Sequence, residues 1–133
     1  GITNADVVDA PRFDEVADQV AEFFEGALFV AHNVAFDYSF IKRAFDDLSI
    51  PFHARRVCTV RLSRALYPEH RGHSLEKLIH RHNIPFTNRH RAKDDAKAIH
   101  LFSTIAHAEH GTDAFESAVR HQLKNQAIPS SFE

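Results

Sequence analysis

From Arg12 to Phe24 the apolar residues Phe13, Val16, Val20, Phe23 and Phe24 fall at helical spacing, and Gly26 stands just beyond them as a stop. The pattern predicts an amphipathic helix. Ala27 to Ala31 is a continuous apolar run, too short for a helix and suited to a strand buried on both faces. Asn33 offers a cap for a second helix from Ala35 to Leu48, which closes before Ile50-Pro51. Arg56 to Thr59 reads as a short strand leading into a helix from Val60 to Leu66, ended by Tyr67-Pro68. Ser74 caps a further helix through His82, and Ile84-Pro85 breaks the chain again. After the polar loop Thr87 to Arg91, the longest helix runs from Ala92 to His110 against Gly111. Helices alternating with short strands predict an α/β layer fold.

A chain of 133 residues fits one domain, and 44% hydrophobic residues are too many for a disordered one. Cys58 is the single cysteine, so no intramolecular disulfide can form, and a reducing, cytoplasmic setting is expected. No apolar run approaches the roughly 20 residues that span a bilayer, and no membrane partner is expected. Charge is distributed unevenly. Between Arg55 and Lys93 ten Lys or Arg face two acids, Glu69 and Glu76, for a local charge of +8, while the remainder carries −10. A basic surface facing a polyanion and a solvated face paired with acidic helices both fit that distribution.

Two carboxylates stand where core residues are expected. Asp37 precedes Ile41, Ala44 and Leu48 on one helical stripe, and Asp95 stands in the same relation to Ile99, Phe102 and Ala106. An ionised carboxylate on a buried face needs a cation, a helix N-terminus or a metal ion. Each aspartate lies in the first turn of its helix, where the dipole favours negative charge, so for either one alone capping is a sufficient role. Asp94 fits the stripe of Ala98, Leu101 and Ile105 equally well, and periodicity does not choose between Asp94 and Asp95. His90 precedes Asp95 by five residues in a loop, where an imidazole titrating near neutrality can activate a water.

Three phrases link these residues: Ala31-His32-Asn33-Val34-Ala35-Phe36-Asp37, then Gly72-His73-Ser74-Leu75-Glu76-Lys77-Leu78, then Arg89-His90-Arg91-Ala92-Lys93-Asp94-Asp95-Ala96. In order and spacing they resemble the second motif, the middle helix and the third motif of DnaQ-like (DEDDh) 3′-to-5′ exonucleases, the family of the proofreading epsilon subunit of the bacterial replicase. The opening Gly1-Ile2-Thr3-Asn4-Ala5-Asp6 is similar to the segment that follows the third strand of such domains. The resemblance implies a ribonuclease H-like exonuclease fold over residues 1–111, followed by a helical extension at 112–126 and a tail or linker start at 127–133. It also implies two divalent cations, Mg²⁺ or Mn²⁺, held by four acids, with Asp37 and Asp95 among them and His90 as general base. Asn33 and Phe36 resemble residues that line the site of the 3′-terminal nucleotide; helix capping and core packing are their competing roles. The implied substrate is a single-stranded or frayed 3′ end, DNA by closeness to the proofreading branch, with RNA left open.

The first motif of the family, an Asp-x-Glu on the opening strand, has no counterpart in an apolar strand context here. The expectation is therefore a truncated domain, with the opening strands of the mixed sheet missing, the strand at Ala27 to Ala31 exposed as an edge prone to self-association, and little hydrolysis by this piece alone. A polymerase or another domain in the parent protein would fit the Pro129-Ser130-Ser131 tail. The alternative reading is a non-catalytic exonuclease-like module that binds nucleic acid or a protein partner.

Overall fold

In a computed structural model the chain is described over residues 1–87 and 91–128. Among the described residues the elements are, in order, α1 (Asn4–Val7), α2 (Phe13–Phe24), β1 (Phe29–Ala31), α3 (Val34–Asp47), β2 (Arg56–Cys58), α4 (Thr59–Leu66), α5 (Leu75–Arg81), α6 (Ala92–His110) and α7 (Thr112–Leu123). The fold is α/β with a small parallel sheet, and every helix expected from periodicity is present. The short α1 has no periodic signature; the carboxylate of Asp6 accepts from the Thr3 N–H at 2.8 Å and closes its single turn. Gly26 at φ +70° and Gly111 at φ +85° take the left-handed backbone that ends α2 and α6. Ser74 accepts from the Lys77 N–H at 3.3 Å and starts α5 as expected.

β1 and β2 pair in parallel, Phe29 opposite Arg56, Val30 opposite Val57 and Ala31 opposite Cys58. Phe29 and Ala31 are buried, but Val30 is 44% exposed, so β1 is covered on one face rather than on both. Hydrophobic residues collect in two clusters. One packs α2, β1 and α3 around Phe45, with Phe13 edge-on to Phe45 at 5.0 Å and Phe52 stacked on it at 4.4 Å between centroids. The other joins α4 to α7 around Leu62, Leu78 and Phe102.

The outer edge of β2 is closed by side chains. Gln122 accepts from the Cys58 N–H at 2.8 Å and donates to the Cys58 carbonyl at 3.0 Å. One helical turn later, Gln126 repeats the pair on Arg56 at 2.7 and 2.8 Å. Two amides spaced i, i+4 thus take the place of a neighbouring strand, because alternate residues of a parallel strand turn both backbone polar groups to the same side. No helix among the described residues is long and apolar enough to cross a membrane.

Candidate active site

Both parallel strands run straight into helices, β1 through His32-Asn33 into α3 and β2 directly into α4, so two helix N-termini meet at the carboxyl end of the sheet. Ligand crevices of parallel sheets form at such ends. Asn33 makes the turn at φ +66°, a conformation that asparagine tolerates better than most residues. Its carbonyl accepts from the Phe36 N–H at 3.0 Å, while its side chain makes no capping hydrogen bond. The expected side-chain cap is therefore replaced by a left-handed turn. Backbone N–H groups converge on Cys58 at the end of β2: burial acts to raise its thiol, and N–H groups of Arg61, Val34, Asn33 and Val60 bring it below the usual value.

The turn is held from behind by histidine. His32 Nε2 lies 2.7 Å from the His73 carbonyl, which can only accept, so this nitrogen donates, and Nδ1 is hydrogen-bonded to the Thr59 hydroxyl at 2.8 Å. His73 follows the same pattern, with Nε2 2.9 Å from the His70 carbonyl and Nδ1 2.7 Å from Ser63 Oγ. Thr59 and Ser63 are fully buried, so the network fixes the His32-Asn33 turn to α4 and to the loop before α5. Reading by hydrophobic periodicity passes over His32; its place beside Asn33 in the quoted motif is the signal that points to it.

Asn33 and Phe36 come together on one cleft of about 880 Å³, whose cationic wall is Arg56, Arg61, Arg64 and Lys124. Phe36 is 66% exposed, with its ring 4.9 Å from that of Phe40, which is 62% exposed. Core packing is thus not the position of Phe36. Asp37 is also exposed, contrary to the buried face expected for it: the face of α3 that packs on the first cluster is Val34, Tyr38, Ile41, Phe45 and Leu48, and Asp37 stands beside that stripe rather than on it. Among the described residues its carboxylate pairs with no cation. Asp94 and Asp95 are half-buried in the first turn of α6. His90 lies outside the described residues.

Carboxylate oxygens suit Mg²⁺ or Mn²⁺ as donors. Among the described residues no group of three or more His, Cys, Asp or Glu could hold a metal ion. Among the described residues the donor type therefore fits and the donor number does not.

A sequence profile of the RNase T exonuclease family matches residues 1–101, and the chain belongs to that family. The family acts on nucleic acid and generally uses divalent metal ions. The chain is 42% identical over 91 residues to the "3′-5′ exonuclease DinG" of Staphylococcus epidermidis, covering 68% of this chain and 10% of that protein. It is 35% identical over 116 residues to the protein of the same name in Staphylococcus saprophyticus, covering 86% of this chain and 12% of the relative. It thus spans about a tenth of the length of these relatives. No solved structure matches the chain.

Proposed function

We propose that this chain contributes the second and third motifs of a 3′-to-5′ exonuclease that hydrolyses phosphodiester bonds at the 3′ end of DNA with the aid of two divalent cations. The observation that carries the reading is the junction of β1 and α3, where Asn33 and Phe36 line a cationic cleft and the next residue, Asp37, is an exposed carboxylate without a cation partner among the described residues. Family membership and the names of the staphylococcal relatives support the direction of cleavage. In this reading Asp37 and Asp95 are ion ligands, His90 is the general base and Asn33 and Phe36 receive the terminal nucleotide. Bound cations would polarise the phosphate and favour the attacking water. The chain's own part is to keep Asp37 clear of competing cations, to present Phe36 to a base and to hold the turn at Asn33 through His32.

The 133 residues alone are proposed to be inactive, because the described residues bring no group of three or more possible metal ligands together. The same observation favours a second reading, a non-catalytic module that binds nucleic acid. The test is digestion of a 3′-labelled single strand by a chimera in which opening strands bearing Asp-x-Glu, taken from a family member, precede Gly1. The exonuclease reading expects magnesium- or manganese-dependent release of 3′ nucleotides, reduced at least 100-fold by Asp37→Asn or Asp95→Asn. A folded chimera that binds the strand and releases nothing would establish the module instead.

A further inference from the structure

The cleft at Asn33 and Phe36 does not end there. A second cleft, of about 710 Å³, shares Arg61, Arg64, His121 and Gln122 with it and continues between α4 and α7 toward Ala114. From Ala114 to Lys124 the α7 wall is about 15 Å long at the rise of an α-helix. Among the described residues neither cleft is lined by an aspartate or a glutamate. Arg61, Arg64 and Lys124 are exposed, and among the described residues none of them pairs with a carboxylate. The acid of α7 that does form an ion pair, Glu116, is engaged by Arg120 at 3.4 Å. All of α7 lies beyond the residues matched by the family profile.

Unneutralised cations along a groove, with an exposed aromatic ring at one mouth, match the chemistry of a single nucleic-acid strand: phosphates pair with the guanidinium and ammonium groups, and a base lies on the ring. We propose that α4 and α7 form a guide for the body of the single-stranded substrate, in which Arg61, Arg64 and Lys124 bind backbone phosphates of nucleotides interior to the 3′ end and Phe36 stacks on a base as the strand turns into the site. The proposal rests on the exonuclease reading for the polarity of the strand and deepens it by assigning α7 a substrate contact. Gln122 and Gln126 give that contact a rigid base, since their bonds to β2 hold α7 in fixed register with the strand end from which Cys58 and α4 emerge. The groove contacts carry no reading of base sequence, so the guide accepts strands without sequence preference.

The test is fluorescence anisotropy of the full 133-residue chain with a labelled single-stranded DNA of mixed sequence, in linear and in circular form, across a range of salt. Expected are binding of both forms, at least tenfold weakening in Arg61→Glu/Arg64→Glu, and a loss of about 0.7 in the log–log salt slope for each cation removed. Lys124→Glu is expected to weaken binding in the same sense. Arg61→Lys/Arg64→Lys should bind nearly as the parent does, and Phe36→Ala should weaken binding about tenfold. If the glutamate variants lose their melting transition, Arg61→Gln/Arg64→Gln gives the same reading without charge reversal. Unchanged affinity and salt slope in folded glutamate or glutamine variants would overturn the guide. Displacement by inorganic polyphosphate as effective as by DNA, together with an indifferent Phe36→Ala, would overturn it in favour of a site for polyanions in general. A preference for linear over circular strands that Asn33→Ala removes reports on the 3′-terminal site alone, so loss of the exonuclease reading and loss of the guide are separable.

Discussion

Two histidines are held below the ordinary imidazole value by their surroundings. Burial pushes His73 below the ordinary imidazole value against the hydrogen bond to the His70 carbonyl, which acts to raise it, and the charges of Arg81, Arg64 and His70 add to the lowering. Burial also lowers His82, assisted by Arg81 and His70 and opposed by Glu109. The ring of His82 lies 4.9 Å from Tyr67 and 5.4 Å from Phe102, and its buried Nε2 has no hydrogen-bond partner among the described residues. A folded-state value below that of the unfolded chain makes stability complete above about pH 6.5. Below that pH the unfolded state takes up protons that the folded state resists, and stability falls. The melting temperature should therefore drop between about pH 7 and about pH 5.5, and His82→Phe should flatten that dependence; an unaltered slope in the variant would show that His82 does not carry it. One motif makes Asp37, Asn33 and Phe36 visible in the sequence, but periodicity misplaces their surroundings. It sets Asp37 on a core stripe that in fact runs through Val34, Tyr38, Ile41 and Phe45 beside it, and the cap expected of the Asn33 side chain gives way to a left-handed turn. His32 and the hydroxyls of Thr59 and Ser63 escape such a reading because polar networks leave no hydrophobic period.

Elements are legible wherever a long apolar stripe marks them. α2, α3 and α6 begin and end within two residues of their expected bounds, set by Gly26 and Gly111 at two of those ends. β1 is shorter than its apolar run because only Phe29 to Ala31 finds a partner. What no pattern of apolar residues conveys is the closure of β2 by Gln122 and Gln126, since neither amide contributes to a stripe. Replacing Gln122 by Ala should leave the buried N–H and carbonyl of Cys58 unpaired and lower the unfolding free energy by about 1–3 kcal/mol. Gln126→Ala should cost less, because Gln126 and its partner Arg56 are only half-buried. Urea denaturation of both variants measures the pair, and equal losses would argue against burial as the cause. Phe45, fully buried on α3 against α2 and β1, should cost about 3–5 kcal/mol on truncation to Ala.

At the scale of the molecule, the two aspartates of the proposed site rise from different parts of the core. Asp37 opens α3, which packs on the α2 and β1 cluster, whereas Asp95 opens α6, which packs with α4, α5 and α7. The α/β class and the motif spacing are readable from the chain alone, because alternation of periods and the order of motifs are properties of the sequence. Whether Asp37 and Asp95 act on one ion is not a property of spacing, since it depends on how two separately packed helices aim their first turns. The local charge of +8 between Arg55 and Lys93 likewise tells of a basic surface without locating it. Arg56, Arg61 and Arg64 line the cleft at Asn33 and Phe36, and Lys124, outside that stretch, joins them at the end of α7.

Asp37 and Asp95 are proposed as ion ligands of one nuclease site. Calorimetric titration of manganese into the chain and into its Asp37→Asn and Asp95→Asn variants tests this most directly. Weak binding that is diminished by either substitution, with melting temperatures of the variants close to that of the parent, is the expected result. Binding indifferent to both substitutions, or no binding at all, would contradict the claim.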